Sequence, residues 1–353
     1  MTKKIVYIIL IIGVFLGCSK EANNGFYEIK GIVKNLPNGS QVFLKNDDTG
    51  VIVDSTKVNE SVFTLTGNVS YPQRYKLVYK NNKIEEHSIW LENIPIQIDF
   101  DFLKPKEVKI VAGTQQQLDE QLNKEIAFFN PEYERLLKEK KQDSIPHLIN
   151  KLTKTIEQFT YKNINSYVAM EMLHNIRTNI NKDTLCNKLQ TVDKHIQNNS
   201  SYAKSLNVFC NSKILDVGDS FIDFTANTLD GERVVLSELI KEKKPVVLIF
   251  GGLQCMRAKG RTLLKSFNET NKNKVNILPF VFANTKEQWL HDETYNIGVP
   301  LVSDLKGNHS PVKIQYNVQA TPTVYVLDTT GKISMISLGY GDNVNEHLKT
   351  ILN

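Results

Sequence analysis

The most constraining stretch of this 353-residue chain is a strand–loop–helix junction built around one cysteine. Residues 246–250 (VVLIF) form an apolar, β-branched run with the length and composition of a fully buried strand. Two glycines follow, and from Cys255 onward apolar residues recur at helical spacing, which predicts a helix with Cys255 in its first turn. There the helix dipole and the cations Arg257 and Lys259 would favour the thiolate over the thiol. The junction therefore predicts a redox-active sulfur.

Composition sets broad limits on the rest of the chain. With 353 residues, of which 41% are hydrophobic, two or three domains are expected. The formal charge of +5 is modest, so we expect a mildly basic surface and no nucleic-acid partner. The seven histidines show no paired spacing that would suggest a metal site. The sequence therefore predicts no metal and no cofactor.

The N-terminus predicts export. Two lysines precede the apolar residues 5–16, which are too few to span a bilayer, where about 20 are needed, but suit a secretory signal. The sequence Phe15-Leu16-Gly17-Cys18 resembles a bacterial lipobox, although phenylalanine stands where leucine is usual. The resemblance implies a signal peptide over 1–17, cleavage before Cys18, lipidation of that cysteine and a polar tether over 18–25. A plain cleaved signal with an incidental Cys18 is the alternative.

Lipidation would make the protein a lipoprotein of the cell envelope. Several acyl chains on one residue anchor a protein far better than a single chain does. We expect an outer-membrane location, facing the periplasm or the cell surface, where disulfides can persist.

Residues 26–113 are strand-like throughout, with turn signals at spacings typical of a β-sandwich. Their motifs, among them the run GIVKNLPNGSQVFL, resemble a domain of unknown function that follows the lipid anchor in envelope thioredoxin-like lipoproteins. This resemblance implies no known chemistry.

Residues 114–213 change to a helical period and are expected to form a spacer that packs against the two globular ends. Its last three helices are predicted at 167–176, 185–196 and 202–210. Cys186 and Cys210 lie in the last two of them, separated by 24 positions. They could form a structural disulfide between antiparallel neighbours, or both could be small buried hydrophobic residues. The sequence leaves both readings open.

Residues 214–353 alternate strands and helices and end in a hairpin, which predicts a mixed sheet with helices on both faces. The fold class is therefore multidomain α+β, with a β-sandwich, a helical spacer and an α/β domain. The motifs KPVVLIFGGLQC and ATPTVYVLD resemble the thioredoxin-like domain of the peroxiredoxin/TlpA-type families. That resemblance implies that Pro322 is a cis-proline beside Cys255, and that the backbone of Thr321 pairs with an extended substrate.

Three departures from this family pattern limit the chemistry that can be carried over. The second cysteine of the dithiol motif is replaced by Ala258, so the motif is Cys-x-x-Ala. The buried carboxylate that passes protons in thioredoxins is replaced by Ile249, and the threonine that orients peroxide in peroxiredoxins is replaced by Gly252. A mixed disulfide on Cys255 therefore cannot be resolved within the motif.

Three functional hypotheses follow. The first is a single-cysteine thiol–disulfide oxidoreductase, in which an external thiol, or Cys210, resolves the adduct on Cys255. The second is a one-cysteine peroxidase with a sulfenic acid on Cys255, against which Gly252 argues. The third is a binding or scaffold module whose cleft beside Pro322 grips an extended peptide. The expected partners are envelope protein thiols or disulfides, or an extended peptide segment, and the membrane through the lipid anchor.

Overall fold

A computed structural model describes residues 25–81 and 83–352. The predicted signal segment and Cys18 lie outside the described residues. No helix within the described ranges is long and apolar enough to cross a membrane.

The N-terminal part folds into two four-stranded sheets that share one hydrophobic core. The inward positions come from strict alternation, as in the seventh strand, where Ile96, Ile98 and Phe100 are buried and their neighbours exposed. The sheet orders are β4-β1-β7-β8 and β3-β2-β5-β6, with β1 and β7 parallel and the other pairs antiparallel. The strands are β1 Tyr27–Lys34, β2 Gln41–Asn46, β3 Ile52–Lys57, β4 Val62–Gly67, β5 Gln73–Lys80, β6 Ile84–Leu91, β7 Pro95–Asp101 and β8 Lys104–Val111.

Seven α-helices follow, and all of them except α2 contribute to a second core, which also includes Trp90 of β6 and Ile314 of the C-terminal domain. The single helix predicted over 185–196 is wrong, because the chain turns between α5 and α6. The carboxylate of Asp193 accepts a hydrogen bond from the His195 amide at 2.7 Å and so begins a new helix. The helices are α1 Thr114–Glu125, α2 Phe129–Lys138, α3 Ile145–Lys162, α4 Tyr167–Ile176, α5 Lys182–Leu189, α6 Lys194–Asn199 and α7 Ser201–Asn211, with a 3₁₀ turn at Gln142–Ser144.

The C-terminal part contains a four-stranded mixed sheet in the order β12-β11-β13-β14, in which only β11 and β12 are parallel to each other. Alternate residues of β11 enter different cores: Val247 and Ile249 face one, Leu248 and Phe250 the other. Helices therefore cover both faces, and the predicted fold class is confirmed. The elements are β9 Thr225–Asn227, β10 Arg233–Val235, α8 Leu236–Lys241, β11 Val246–Phe250, α9 Ala258–Asn271, β12 Asn276–Phe280, α10 Lys286–Glu293, a 3₁₀ turn Gly307–His309, α11 Pro311–Gln315, β13 Thr323–Leu327, β14 Ile333–Leu338 and α12 Asp342–Leu352.

Candidate active site

The loop after β11 depends on its two glycines. Gly251 and Gly252 have φ values of +103° and +72°, a region that residues with a Cβ rarely adopt. A Cβ on Gly251 would lie 2.4 Å from the Thr321 Cβ, and one on Gly252 would lie 2.3 Å from an Asp292 carboxylate oxygen. The absence of side chains here lets the loop approach both of these neighbours closely.

Cys255 lies in this loop rather than in a helix. Helix α9 begins at Ala258, and Arg257 at its N-cap position has the non-helical ψ of 150°. The prediction that Cys255 occupies the first helical turn is therefore wrong, because the turn at 251–256 continues past the cysteine before the helix starts. The thiol is exposed and is the one free cysteine among residues 25–81 and 83–352.

The three cations near the cysteine differ in what they contact. Arg257 is exposed and lines the same groove as Cys255. Lys259 is ion-paired with Asp342 at 2.7 Å, so its charge is shared with a carboxylate rather than directed at the sulfur. Arg261 donates to backbone carbonyls of the loop, including those of Leu253 and Met256, and so holds the loop against α9.

The second side of the site is the loop that precedes β13. The Thr321–Pro322 peptide bond is cis, and the Pro322 carbonyl accepts a hydrogen bond from the Gly339 amide at 2.8 Å. Cys255, Arg257, Thr321 and Pro322 line one open groove of about 480 Å³. The structure thus brings together four of the sequence-predicted site residues from two distant parts of the chain.

The floor of the loop holds a carboxylate that sequence reasoning missed. Asp292 of α10 is only 3% exposed and accepts hydrogen bonds from the Gln254 amide at 3.4 Å and from its side-chain Nε2 at 3.0 Å. Burial raises the pKa of Asp292, and the hydrogen bonds from Gln254 partly offset this. The spacing in the sequence could have indicated that Asp292 is buried. It lies three residues after Trp289 and therefore shares a helix face with this fully buried side chain.

Asp292 bears on two of the three departures noted in the sequence, those at Ile249 and Gly252. Ile249, which replaces the buried carboxylate of thioredoxins, is fully buried in the apolar core on one face of β11. No polar group therefore reaches the loop from this position. A carboxylate nevertheless reaches the underside of the cysteine loop, from α10 instead of β11. Gly252 leaves the space that this carboxylate occupies.

The two remaining cysteines are bonded to each other. A disulfide joins Cys186 of α5 to Cys210 of α7, with a Cα–Cα distance of 5.6 Å. Cys210 is therefore not a free thiol, and the suggestion that it resolves an adduct on Cys255 is wrong for this structure. His309 is half-buried between domains and contacts Asp48 and Ser205.

Comparisons with known proteins agree with this architecture. Residues 27–119 match a domain of unknown function, DUF4369, and residues 217–336 match the AhpC/TSA family. The thioredoxin-like protein YneN of Bacillus subtilis is 29% identical over 129 residues, which cover 35% of this chain and 71% of YneN. The C-terminal part is therefore an AhpC/TSA-type thioredoxin-like domain.

Solved structures also resemble part of the chain. A thiol-disulfide oxidoreductase from Bacteroides fragilis is 23% identical, covers 37% of this chain and 98% of its own, and gives a TM-score of 0.35. The thioredoxin domain of a thiol-disulfide oxidoreductase from Bacteroides vulgatus is 23% identical, covers 39% of this chain and 99% of its own, and also gives 0.35.

Proposed function

We propose, starting from the AhpC/TSA-type thioredoxin-like domain at residues 217–336, that this protein is a single-cysteine thiol–disulfide oxidoreductase acting on envelope protein thiols or disulfides. The observation that carries the proposal is the exposed, unpaired Cys255, which shares a groove of about 480 Å³ with Thr321 and the cis-proline Pro322. Ala258 at the start of α9 leaves this sulfur without a partner in the motif.

The proposed reaction is thiol–disulfide exchange. The Cys255 thiolate attacks one sulfur of a substrate disulfide; a mixed disulfide forms, the substrate S–S bond breaks, and the departing sulfur takes up a proton. An external thiolate then attacks the substrate sulfur of the adduct. Cys255 leaves as a thiolate, and the substrate ends bonded to the external thiol. The external thiol is required because Ala258 carries no sulfur and Cys210 is bonded to Cys186.

The groove suits an extended protein segment. Leu338, at one end of it, is 77% exposed, although apolar side chains of this size are more often buried. Arg257 adds a positive charge beside the thiol. An apolar contact and an exposed backbone edge at Thr321 are what a peptide, rather than a small oxidant, would use.

The test is insulin-disulfide reduction with dithiothreitol as external thiol. We expect Cys255→Ser to reduce the rate to the uncatalysed background, and alkylation trapping to recover wild-type adducts that dithiothreitol releases. The matched control is Ala258→Cys, which restores a second sulfur and should raise the rate by making resolution intramolecular.

The alternatives predict other results. If Cys255→Ser matches the wild type in insulin reduction and in peroxide consumption, both redox functions are excluded and the binding module remains. If only peroxide consumption depends on Cys255, the peroxidase is supported. Gly252 argues against this function, because it replaces the threonine that orients peroxide in peroxiredoxins and a threonine side chain at this position would overlap Asp292.

We propose also that the protein is lipid-anchored through Cys18 to the outer membrane. The lipobox-like Phe15-Leu16-Gly17-Cys18 supports this, and the Cys186–Cys210 disulfide supports export to an oxidising compartment. Wild-type protein should incorporate labelled palmitate and sediment with outer membranes, whereas Cys18→Ala should not. Labelling of Cys18→Ala equal to that of the wild type would refute the anchor.

A further inference from the structure

A pocket of about 210 Å³ opens between the central helices and the C-terminal domain. His174 and Arg177 line it from the end of α4, and Asn308, Lys313 and Gln319 line it from the segment around α11. This pocket is distinct from the groove that contains Cys255, since the two share no lining residue.

The pocket is positively charged. Arg177 and Lys313 both line it, and no aspartate or glutamate is among its lining residues in the described part of the chain. Burial lowers the pKa of Lys313, and the positive charge of Arg177 lowers it further. Asp48 acts on Lys313 in the opposite direction, but its carboxylate is already bonded to His309. Two like charges thus share a partly desolvated space.

Arg177 also has unused hydrogen-bonding capacity. It is 6% exposed, and its Nη1 donates to the carbonyl of His174 at the end of α4. Its Nε is buried and has no hydrogen-bond partner among the described residues. A buried guanidinium without a full negative charge beside it is unfavourable, and a helix C-terminus supplies only a partial charge.

Contacts with aromatic rings partly explain how two cations can lie in this pocket. Arg177 lies 6.0 Å from the ring centre of Phe209, and Lys313 lies 5.1 Å from that of Phe282. Cation–π contacts of this kind stabilise each cation separately. They do not offset the repulsion between the two cations across the pocket.

We infer that this pocket binds a small oxyanion of the phosphate class, with Arg177 and Lys313 neutralising its charge. Arg177 supplies planar N–H donors suited to two oxygens. The side-chain oxygen of Asn308 accepts a hydrogen bond from Lys313 Nζ, which leaves the Asn308 amide N–H groups as donors at the rim. Burial lowers the pKa of His174 to about 3, so its imidazole is neutral at pH 7 and leaves the two cations as the source of charge. The volume admits a free phosphate ion or a phosphomonoester.

The experiment is isothermal titration of the full chain with inorganic phosphate, glycerol phosphate and acetate, at constant ionic strength set with sodium chloride. We expect saturable phosphate binding to the wild type that weakens at least tenfold in Arg177→Gln and in Lys313→Gln. Lys332→Gln, which removes an exposed cation elsewhere, should bind as the wild type does. Tighter binding of glycerol phosphate than of inorganic phosphate would identify a phosphomonoester as the ligand.

The inference is overturned if no probe binds saturably, if acetate binds as tightly as phosphate, or if both pocket variants keep wild-type affinity. Circular dichroism checks that each variant is folded. Should Arg177→Gln fail to fold, Lys313→Gln decides the result, because Lys313 is only half-buried.

Discussion

Arg74 should be one of the most costly single residues to remove from this chain. It lies in β5 and reaches two helices: its Nη2 is 2.7 Å from Asp119 of α1, and its Nε is 3.0 Å from Glu171 of α4. The guanidinium also lies 5.1 Å from the ring centre of Trp90. Both acidic residues are buried, with side chains that are 11% and 10% exposed. Arg74→Met therefore leaves two desolvated negative charges with no cation.

Removing one partner of a buried ion pair typically costs about 3–5 kcal/mol, and we expect that loss for Arg74→Met at pH 8. Burial already raises the pKa of Glu171, an effect that Arg74 partly offsets, so the variant should raise that pKa further. A raised carboxyl pKa means that the folded state binds more protons than the unfolded state above pH 4.5. The stability of the variant should therefore fall as pH rises, and its deficit should be smaller at pH 5 than at pH 8.

Arg135→Met is the matched control for this experiment. Arg135 also contacts two carboxylates, Glu132 and Glu139, but the three side chains are exposed, on α2 and at its C-cap. Its removal should leave the free energy of unfolding close to the wild-type value at both pH values. Urea denaturation followed by circular dichroism and tryptophan fluorescence measures the difference. If Arg74→Met is as stable as Arg135→Met at both pH values, the reasoning from burial is wrong.

Two further predictions concern the disulfide and the cysteine loop. Replacing both Cys186 and Cys210 by alanine opens a loop of 24 positions, and the chain-entropy relation gives a loss of about 3.4 kcal/mol, measurable by urea denaturation without reductant. An equal midpoint for the variant and the oxidised wild type would contradict this. Gly252→Ala should cost about 1–2 kcal/mol for its backbone conformation alone, with more from the overlap with Asp292. Compared with Asp292→Ala alone, the double variant should lose only the backbone part in thermal melts, and no difference between the two would show that the backbone is not strained.

The sequence predicted the parts of the site that depend on local pattern. The apolar run at 246–250 and the glycine pair predicted the loop that contains Cys255. The proximity of Pro322 was implied by the family resemblance rather than by local pattern, and the groove contains both residues. The first helical residue could not be predicted, since apolar spacing cannot distinguish a turn from a helix over three residues. The non-helical ψ of Arg257 moves that start to Ala258.

Long-range contacts account for what the sequence could not indicate. Asp292 looks like a polar residue of a short surface helix until α10 is placed under the loop at 251–256. His309 likewise becomes half-buried because Asp48 of the N-terminal domain and Ser205 and Tyr202 of the central helices contact it. The pairing of Cys186 with Cys210 depended on whether α5 and α7 are neighbours, which their spacing alone left open.

The N-terminal domain also supports the cysteine loop through α10. In the turn between β2 and β3, the Thr49 carbonyl accepts a hydrogen bond from the Gln288 side chain at 2.6 Å. Gly50 in the same turn has a φ of +72°, and a Cβ there would lie 3.1 Å from that amide, so glycine permits the approach. Gln288 precedes Asp292 by about one helical turn, and Asp292 holds Gln254 beside Cys255. One short helix thus carries both the side chain that bonds to the domain of unknown function and the carboxylate that lies beneath the loop containing Cys255.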